Sequence, residues 1–418
     1  MSLVLSVNAG SSSLKIALFR AFPENKDEPV KLLLTCSISN ISTPPAEFSY
    51  KVQNGSTKQE ELNDIHDHES GFSHFLDCLD AEEGVNREDI THVCHRVVHG
   101  GDYSDPVLIN DEAYTHIERL SDLAPLHNGA ALAVIKICLS KSKFHHAKSI
   151  TFFDTAFHRS IPPHISSYAI DQKDAKSRGL KKYGFHGLSY SFILRSVADF
   201  LQKPASSLNL IVLHLGSGAS ACCIRQGQSL DTSMGLTPLH GLPGATRSGA
   251  IDPSLIFHYT NKAGRMSHDE GSAVHLHVTQ AEHILNTEAG WKALAGTTDF
   301  GVITQKREED PEGAGLAFDL FVDRVLNYVG SYHLKLGAQV DALVFSGGIG
   351  EHSEELRAVL AERIACLGYA SISAERNAAV QGAEDIVLDV GVPEATGPRL
   401  LVCRTNEEVC SFIFLSTR

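Results

Sequence analysis

Short apolar runs rich in β-branched residues alternate along the chain with longer stretches of helical periodicity. The apolar runs predict strands at residues 3–7, 14–19, 93–98, 149–153, 208–215, 342–345 and 399–403. Apolar residues recur with helical spacing after Asn128, Ser189 and Ser353 and through residues 317–336, which predicts helices there. Strands that alternate with helices favour the α/β fold class.

The stretch 39–67 is polar and interrupts this pattern. It contains Pro44, Pro45, Asn54 and Gly55, which are residues that break regular structure. We therefore expect an irregular excursion on the surface at this point of the chain.

Residues 4–19 and 211–224 resemble each other in pattern. Each segment begins with an apolar strand, turns through a loop of glycine and serine, and resumes as a second apolar segment. Such a pair is expected when two halves of a fold are related by duplication. Chance similarity between two Gly/Ser hairpins is the alternative.

Three loops rich in glycine and serine follow predicted strands, at residues 8–13, 214–218 and 346–350. Glycine lets backbone N–H groups turn toward a ligand and serine adds hydroxyl donors, a combination suited to phosphate oxygens. A Walker A loop is excluded because GxxxxGK(S/T) does not occur in the sequence. The second loop leads into a predicted hairpin strand, which argues against a dinucleotide-binding turn. The third precedes a helix, whose N-terminus could receive a ribose or a phosphate.

Four polar residues stand beside turns or strand ends, where side chains can meet ligands. Asp154 directly follows a predicted strand, which is a common place for an active-site carboxylate, although a helix N-cap would give the same pattern. His186 lies among glycines and aromatic residues and could donate to a developing charge, although a histidine satisfied within a turn would give the same pattern. Arg247 lies among glycine and proline turns that suit bidentate anion binding. Arg96 precedes a Gly-Gly strand end, which favours an anion site over a zinc site built from the neighbouring histidines. An ordinary structural strand end is the alternative.

Net charge narrows the function classes. The sequence carries 36 Lys and Arg against 50 Asp and Glu, a formal charge of −14, so we expect no general attraction for nucleic acid or anionic membranes. An anionic ligand would need local cations, for which Lys15, Arg96 and Arg247 are the candidates. From the residues alone we predict phosphate chemistry in a cleft between two α/β halves.

Length and cysteine content place the chain among reduced globular proteins. At roughly 150 residues per domain, the 418 residues suggest two or three domains. None of the apolar runs approaches the roughly 18 residues of a transmembrane helix, and the first residues lack the basic start of a signal peptide. The nine cysteines are irregularly spaced and predict free thiols in a cytoplasmic protein.

Nine motifs in this chain resemble those of the acetate kinase family, which belongs to the acetate and sugar kinase/Hsp70/actin superfamily. They come in the family's order and span nearly the whole chain. The motifs are VNAGSSSLK (7–15), HRVVHGG (95–101), APLHN (124–128), FDTAFH (153–158), YGFHG (183–187), LHLGSGAS (213–220), TPLHGLPGATRSGAIDP (237–253), GGIGEHS (347–353) and RTNEE (404–408).

The resemblance implies a fold, an activity and partners. The fold is α/β, with two duplicated ribonuclease-H-like domains of the actin-like ATPase type and the active site in the cleft between them. The first domain would comprise residues 1–155 with a returning segment from about 400 to 418, and the second, nucleotide-binding domain residues 156–399. The activity is phosphoryl transfer between ATP and acetate to give ADP and acetyl phosphate, with Mg²⁺ or alternatively Mn²⁺. A cytoplasmic homodimer without nucleic-acid or membrane partners is implied.

The resemblance also assigns roles to residues, motif by motif. The residues implied to organise Mg²⁺ are Asn8 and Glu407. The residues implied to be catalytic are Arg96, Asp154, His186 and Arg247. The acetate site and its apolar pocket are implied to comprise Arg96, Val98, Leu126, His127, Phe185 and Pro238. The phosphate and nucleotide segments are implied to comprise Ser11, Ser13, Lys15, His214, Leu215, Gly216, Ser217, Gly218, Asp299, Phe300, Gly301, Gly348, Ile349, Gly350, Glu351 and His352.

The acid–base chemistry of acetate changes the role expected of Asp154. Acetate resembles a glutamate side chain and titrates at about 4.3, so it is already ionised at neutral pH and needs no general base. We therefore interpret Asp154 as a residue that positions an arginine or the metal shell. The main barrier is the approach of anionic acetate to an anionic phosphoryl donor, which cations reduce.

Three positions depart from the family's pattern. Ser217 and His352 stand where the family commonly has Asn, and Gly301 stands where it has Arg. Because all three belong to phosphate or nucleotide segments, a pyrophosphate-dependent acetate kinase is an alternative, although room for an adenine beside Gly348 favours ATP. A propionate or butyrate kinase, and a nucleotide-responsive binding module without activity, are the further alternatives.

Overall fold

The computed structural model describes residues 2–405 except 11, 23, 26–29, 42–43, 122, 124, 141–143, 145, 260–265, 268–277 and 395, and describes residues 125–127, 266–267 and 278 by backbone alone. The described chain divides into two compact units, residues 2–156 and residues 157–405. Each unit is built on its own β-sheet.

The first unit contains an eight-stranded sheet in the order β5-β4-β3-β2-β1-β6-β8-β7 in its described part. Its strands are β1 Leu3–Ala9, β2 Leu14–Ala21, β3 Val30–Ser39, β4 Ala46–Val52, β5 Thr57–Leu62, β6 Ile90–Val97, β7 Val107–Leu108 and β8 Lys148–Phe153. Its α-helices are α1 His68–Asp80, α2 Asp111–Leu120 and α3 Pro125–Leu139. Every residue of β1 is buried, as expected for a central strand covered on both faces.

The second unit contains a six-stranded sheet in the order β11-β10-β9-β14-β16-β15 and the two-stranded pair β12-β13 in its described part. Its strands are β9 Leu210–Leu215, β10 Ala219–Arg225, β11 Gln228–Thr232, β12 Met266–Ser267, β13 Val278–Thr279, β14 Ala342–Ser346, β15 Val387–Asp389 and β16 Arg399–Cys403. Its α-helices are α4 Pro163–Ser166, α5 Gln172–Arg178, α6 Gly187–Leu201, α7 Leu255–Tyr259, α8 Gln280–Thr287, α9 Gly290–Ala295, α10 Phe300–Lys306, α11 Leu316–Lys335, α12 Gly347–His352, α13 Glu354–Ile364 and α14 Ala374–Ala379. Among the described helices of the chain, none is long and apolar enough to cross a bilayer.

The two sheets repeat one topology. The order β3-β2-β1-β6-β8 in the first corresponds to β11-β10-β9-β14-β16 in the second. In both sheets the first three strands form an antiparallel meander, and the last three are mutually parallel. The two similar segments noted in the sequence are the hairpins β1-β2 and β9-β10, so the predicted duplicated α/β fold is confirmed.

The prediction of an irregular excursion over residues 39–67 is wrong. This region contains β4 and β5, which extend the first sheet by antiparallel pairing with β3 and with each other. In β4 the buried Ala46, Phe48 and Tyr50 alternate with more exposed residues, which is the period of a half-buried strand. The prolines lie before β4, and the polar β5 is the edge strand, where exposed side chains carry no apolar signal.

The predicted start of the returning C-terminal segment is also wrong. Residues from about 400 were expected in the first domain, but Arg399–Cys403 forms β16 of the second sheet, parallel to β14 and antiparallel to β15. Leu400, Leu401 and Val402 are fully buried there, since β16 is an inner strand. Residues 406–418 lie outside the described residues, and the rest of the predicted domain division stays a prediction.

Candidate active site

Three neighbouring strands of the first unit bring Asn8, Arg96 and Asp154 together. Asn8 on β1 is the register partner of Arg96 on β6, and Asp154 directly follows β8. Because these strands are parallel, their carboxyl ends lie at one edge of the sheet, where α/β proteins bind ligands. Arg96 donates from Nη2 to Asp154 at 2.7 Å and from Nη1 to the Asn8 amide oxygen at 3.1 Å.

The contact between Arg96 and Asp154 is an almost buried ion pair. The side chain of Asp154 is 1% exposed and that of Arg96 is 15% exposed. Nε of Arg96 also lies within hydrogen-bond distance of both carboxylate oxygens, so the plane of the guanidinium is fixed. In this structure the carboxylate of Asp154 orients an arginine.

Residues from two other sequence motifs fix the loop that follows Arg96. The side chain of Asn128 accepts from the backbone N–H of His99 and donates to its carbonyl, both at 2.9 Å. Thr155 accepts from the backbone N–H of Gly100 at 3.1 Å. A Cβ at Gly100 would lie 2.4 Å from Phe153, so this close approach requires glycine.

The first Gly/Ser loop joins β1 to β2 and carries the predicted phosphate ligands. Gly10 donates its N–H to the carbonyl of Ser13 at 2.8 Å and accepts from Nε2 of the buried His68 at 2.7 Å. Lys15 is exposed and lies opposite Asn8 in the hairpin, so the two side chains share a face of the sheet. Ser11 lies outside the described residues.

In the second unit, the Gly/Ser loop after β9 is joined to the segment that carries Arg247. The N–H of Ala245 donates to the carbonyl of Ser217 at 2.9 Å. A Cβ at Gly218 would lie 3.3 Å from Nη1 of Arg247, so the guanidinium packs on the bare backbone of the loop. Arg247 also donates to the carbonyl of the buried Pro238 at 3.5 Å.

The third Gly-rich loop packs against the same loop. Gly347 has φ +75°, and a Cβ there would lie 2.7 Å from the carbonyl oxygen of Leu215, so both the turn and the close approach require glycine. Glu351 accepts from the N–H of Gly347 at 2.9 Å and from the N–H and hydroxyl of Thr405 at 3.1 Å. Its carboxylate therefore ties the loop together.

His186 begins α6 with a left-handed backbone, φ 58°. The preceding residue is fixed by His158, which donates from Nε2 to the carbonyl of Phe185 at 2.9 Å. His158 is buried, and this burial lowers its pKa to about 4. The ring of His214 lies 4.4 Å from the ring of His186, centroid to centroid.

A pocket of about 550 Å³ lies in the second unit and is lined by eight of the sixteen predicted phosphate and nucleotide residues. Asp299 at its wall caps α10 by accepting from the N–H of Gly301 at 2.7 Å. The residues that line it are Gly216, Ser217, Trp291, Thr298, Asp299, Phe300, Gly301, Thr304, Gln305, Gly348, Ile349, His352, Ser353, Glu354, Glu355 and Gln381. The second unit therefore assembles this pocket from four separate stretches of sequence, at residues 216–217, 291–305, 348–355 and 381.

Known proteins resemble this chain over nearly its whole sequence. The sequence profile described as the Acetokinase family matches residues 3–412. This chain belongs to the acetokinase family. It is 48% identical over 412 residues to a probable acetate kinase of Emericella nidulans, covering 97% of this chain and 95% of that protein. It is 35% identical over 411 residues to an acetate kinase of Corynebacterium jeikeium, covering 97% of this chain and 96% of that protein.

Solved structures of similar proteins agree with the acetokinase assignment. A propionate kinase from Francisella tularensis superimposes with a TM-score of 0.83 at 33% identity and 98% coverage of both chains. A Porphyromonas gingivalis acetate kinase superimposes with a TM-score of 0.81 at 27% identity, covering 100% of this chain and 99% of that one. The fold of this chain is therefore shared with both of these kinases.

Several site residues carry no sequence signal. Trp291 lies in α9, Thr304 and Gln305 in α10, and Glu354 and Glu355 in α13; all lie outside the sequence motifs, so only the tertiary structure brings them to the pocket. Trp291 is the single tryptophan of the chain, which was the one available hint.

The predicted acetate and metal residues are only partly described. Val98 belongs to the first unit and Phe185 and Pro238 to the second, so the acetate pocket stays a prediction. The side chains of Leu126 and His127, and all of Glu407, lie outside the described residues.

The first unit offers oxygen donors that suit Mg²⁺. The amide oxygen of Asn8 and the carboxylate of Asp154 lie against one guanidinium. Within the described residues no group of three His, Cys, Asp or Glu could hold a metal ion. A donor set of this size fits Mg²⁺, which keeps several waters and is completed by phosphate oxygens.

Proposed function

We propose that this protein is an acetate kinase, a phosphotransferase that moves the γ-phosphoryl group of ATP reversibly to acetate. The observation that carries the proposal is the guanidinium of Arg96, fixed by Asp154 and Asn8 at the carboxyl ends of three strands. The names of the relatives, acetate kinase and probable acetate kinase, support this substrate.

The proposed mechanism is electrostatic. Ionised acetate is itself the nucleophile, so the residues need to reduce repulsion and hold the reactants in line. Arg96 and Arg247 would bind the acetate carboxylate and the transferring phosphoryl group, with Lys15 on the donor phosphates. His186 would donate to the equatorial oxygens. Bound Mg²⁺, organised by Asn8 and Glu407, would neutralise donor phosphate charge.

The donor proposed is ATP, with ADP as its product. The pocket of about 550 Å³ supports this choice because pyrophosphate would need only the phosphate loops. Trp291 and Ile349 give the pocket apolar surface, and Thr304, Gln305 and Gln381 give it hydrogen-bonding groups, a combination that suits a nucleoside.

Propionate is the second candidate substrate, favoured by the similarity to a propionate kinase. A single methylene changes binding by roughly 1–3 kcal/mol, so we expect propionate to react as a slower substrate.

A cytoplasmic homodimer is proposed as well. The described cysteines are free thiols, which supports a reducing compartment. Leu255, Phe257 and Tyr259 of α7 are exposed, Phe257 by 74%, which supports a protein interface.

Hydroxylamine trapping of the acyl phosphate tests the proposal. Purified protein with Mg²⁺ is given acetate or propionate together with ATP or pyrophosphate. We expect hydroxamate with ATP, and more from acetate than from propionate. Arg247→Ala should lose most of the activity, whereas Gly330→Ala, which changes an open position inside α11, serves as the matched control. If hydroxamate formed with pyrophosphate and not with ATP, pyrophosphate would be the donor. If no hydroxamate formed with either donor, the protein would be a nucleotide-responsive binding module without activity.

A further inference from the structure

The imidazole of His186 is held by a buried hydroxyl to which the sequence analysis assigns no role. Nδ1 of His186 lies 2.8 Å from Oγ of Ser220 on β10. The phenol of Tyr190, one turn into α6, hydrogen-bonds to the same Oγ. Ser220 and Tyr190 are both fully buried, so neither hydroxyl exchanges its partner for bulk water.

We propose that Ser220, supported by Tyr190, is a positioning residue that fixes the tautomer and the ring orientation of His186. The phenol donates to Oγ of Ser220, and the serine hydroxyl donates in turn to Nδ1. A neutral imidazole has one N–H, so an Nδ1 that accepts directs the ring proton to Nε2. The catalytic consequence rests on the proposed function, in which His186 donates to phosphoryl oxygens.

The direction of this chain follows from the chemistry of its members. A phenol is a better hydrogen-bond donor and a poorer acceptor than an aliphatic hydroxyl, which favours the order Tyr190 to Ser220 to His186. In the opposite tautomer, Nε2 would carry a lone pair and repel a phosphoryl oxygen. Fixing the tautomer of a catalytic histidine through its other nitrogen is a general device in enzymes.

The backbone of His186 is fixed separately from its ring. Its left-handed φ of 58° is unfavourable for a non-glycine residue and persists only where its surroundings hold it. His158 binds the preceding carbonyl, and Lys182 at the start of the same segment donates to Asp231 at 2.7 Å. Loss of the Ser220 hydroxyl should therefore release the ring and leave the segment in place.

Two variants and one matched control test the inference. Ser220→Ala removes the bond to Nδ1, and Tyr190→Phe removes only the second hydroxyl. Ser149→Ala is the control, because Ser149 is a buried serine whose Oγ lies 3.2 Å from Nε2 of His95, a histidine outside the proposed mechanism. Each variant is assayed for turnover and KM and is examined by ¹⁵N NMR with ¹⁵N-labelled histidine, with the His186 signals assigned by loss in His186→Gln.

We expect the neutral His186 of the unsubstituted protein to carry its proton on Nε2. Ser220→Ala should mix the tautomers and lower kcat by about 10-fold to 100-fold with KM near its original value. Tyr190→Phe should change the tautomer ratio and kcat in the same direction, but by a smaller amount. It is the test variant to use if Ser220→Ala does not fold. Ser149→Ala should change neither readout.

An unchanged tautomer in Ser220→Ala and Tyr190→Phe, or a kcat for Ser220→Ala equal to that of Ser149→Ala, would overturn the inference. The NMR readout needs no substrate. If the unsubstituted protein made no acyl phosphate with any donor, the proposed function would be wrong. The tautomer of His186 in the Ser220→Ala variant would still show whether Ser220 positions the ring.

Discussion

The hairpins β1-β2 and β9-β10 occupy the same place in two sheets of the same topology, yet they support different chemistry. Asn8 is followed by Ala-Gly in the first hairpin, and His214 is followed by Leu-Gly in the second. Across the parallel ladder, Asn8 faces Arg96, whereas His214 faces Ser346. The same position at the strand end therefore carries a guanidinium in the first sheet and a small hydroxyl side chain in the second.

The next strand continues the contrast. Asp154 follows β8 and binds Arg96, whereas Thr405, in the corresponding place after β16, binds the carboxylate that ties Gly347 into its loop. The charged arrangement suits small anions that need neutralisation. The small residues and glycines of the second unit leave room for a pocket. The repeated backbone thus determines where a site forms, and a few strand-end side chains determine what it binds.

Removing the guanidinium of the first unit should have the largest effect. Arg96→Ala should lower turnover by about 10²–10³, the usual loss for a group that stabilises transferring charge. It should also lower the free energy of unfolding by about 3–5 kcal/mol, because the buried Asp154 is left unpaired. Acyl hydroxamate formation and urea unfolding measure the two effects.

The double variant Arg96→Met, Asp154→Leu separates charge from function. It should recover most of the lost stability, since no unpaired charge remains, but none of the activity. Equal instability of the single and double variants would show that the ion pair is not what Arg96→Ala disrupts.

Each unit contains a fully buried neutral histidine, His95 in the first and His158 in the second, and both should destabilise the protein in acid. Burial lowers the pKa of His158 from 6.5 to about 4 and that of His95 to about 3. The unfolded chain takes up these protons near pH 6.5 and the folded chain does not, so stability falls as the pH drops below that value.

The fall attributable to His158 should total about 3 kcal/mol by the pH at which the folded group titrates. Urea unfolding at a series of pH values measures the slope, which His158→Gln should reduce by about one proton. An unchanged slope in that variant would mean that His158 does not carry the acid sensitivity.

Adding one methyl group to the loop of the second unit should move Arg247. Gly218→Ala places a Cβ 3.3 Å from the guanidinium, so the arginine must shift, and we expect kcat to fall by about 10-fold. Gly330→Ala inside α11 has open space around its Cβ and should instead stabilise the fold by about 0.5–1 kcal/mol at unchanged kcat. If the two variants have equal kcat, the position of Arg247 is not critical.

Gly301→Arg should have the smallest effect on kinetics, and it should show which phosphoryl donor the pocket binds. A Cβ at position 301 meets only Asp299 Oδ1, at 3.1 Å, so a side chain fits after a small adjustment. A partly exposed cation near the pocket should lower the KM for ATP by about two- to five-fold. A lower KM for pyrophosphate instead would point to the alternative donor.

Much of the fold was predictable because its inner strands are uniformly apolar. Each predicted strand overlaps an observed one, and the similar Gly/Ser hairpins indicated a duplication, which the matching strand orders of the two sheets confirm. The hairpin β4-β5 was missed because an edge strand with a polar outer face carries little apolar signal. The end of the second unit was misjudged because a single strand does not reveal which of two sheets it joins.

The residues of the candidate site also include some that the sequence predicts and others that it does not. Arg96, Asp154 and Arg247 stood out because a charged residue among glycines and apolar strand ends is unusual. Ser220 and Tyr190 could not be found, since a serine in a strand and a tyrosine in a helix acquire their role only when His186 is placed beside them.

We propose that the guanidinium of the first unit serves the transfer step and that the pocket of the second unit binds the nucleotide. Titration of Arg96→Ala with ADP, alongside its rate of acetyl hydroxamate formation from ATP and acetate, tests both halves at once. We expect an ADP affinity equal to that of the unsubstituted protein and a turnover lower by about 10²–10³. Near-normal turnover in the folded variant would show that Arg96 does not serve the transfer step.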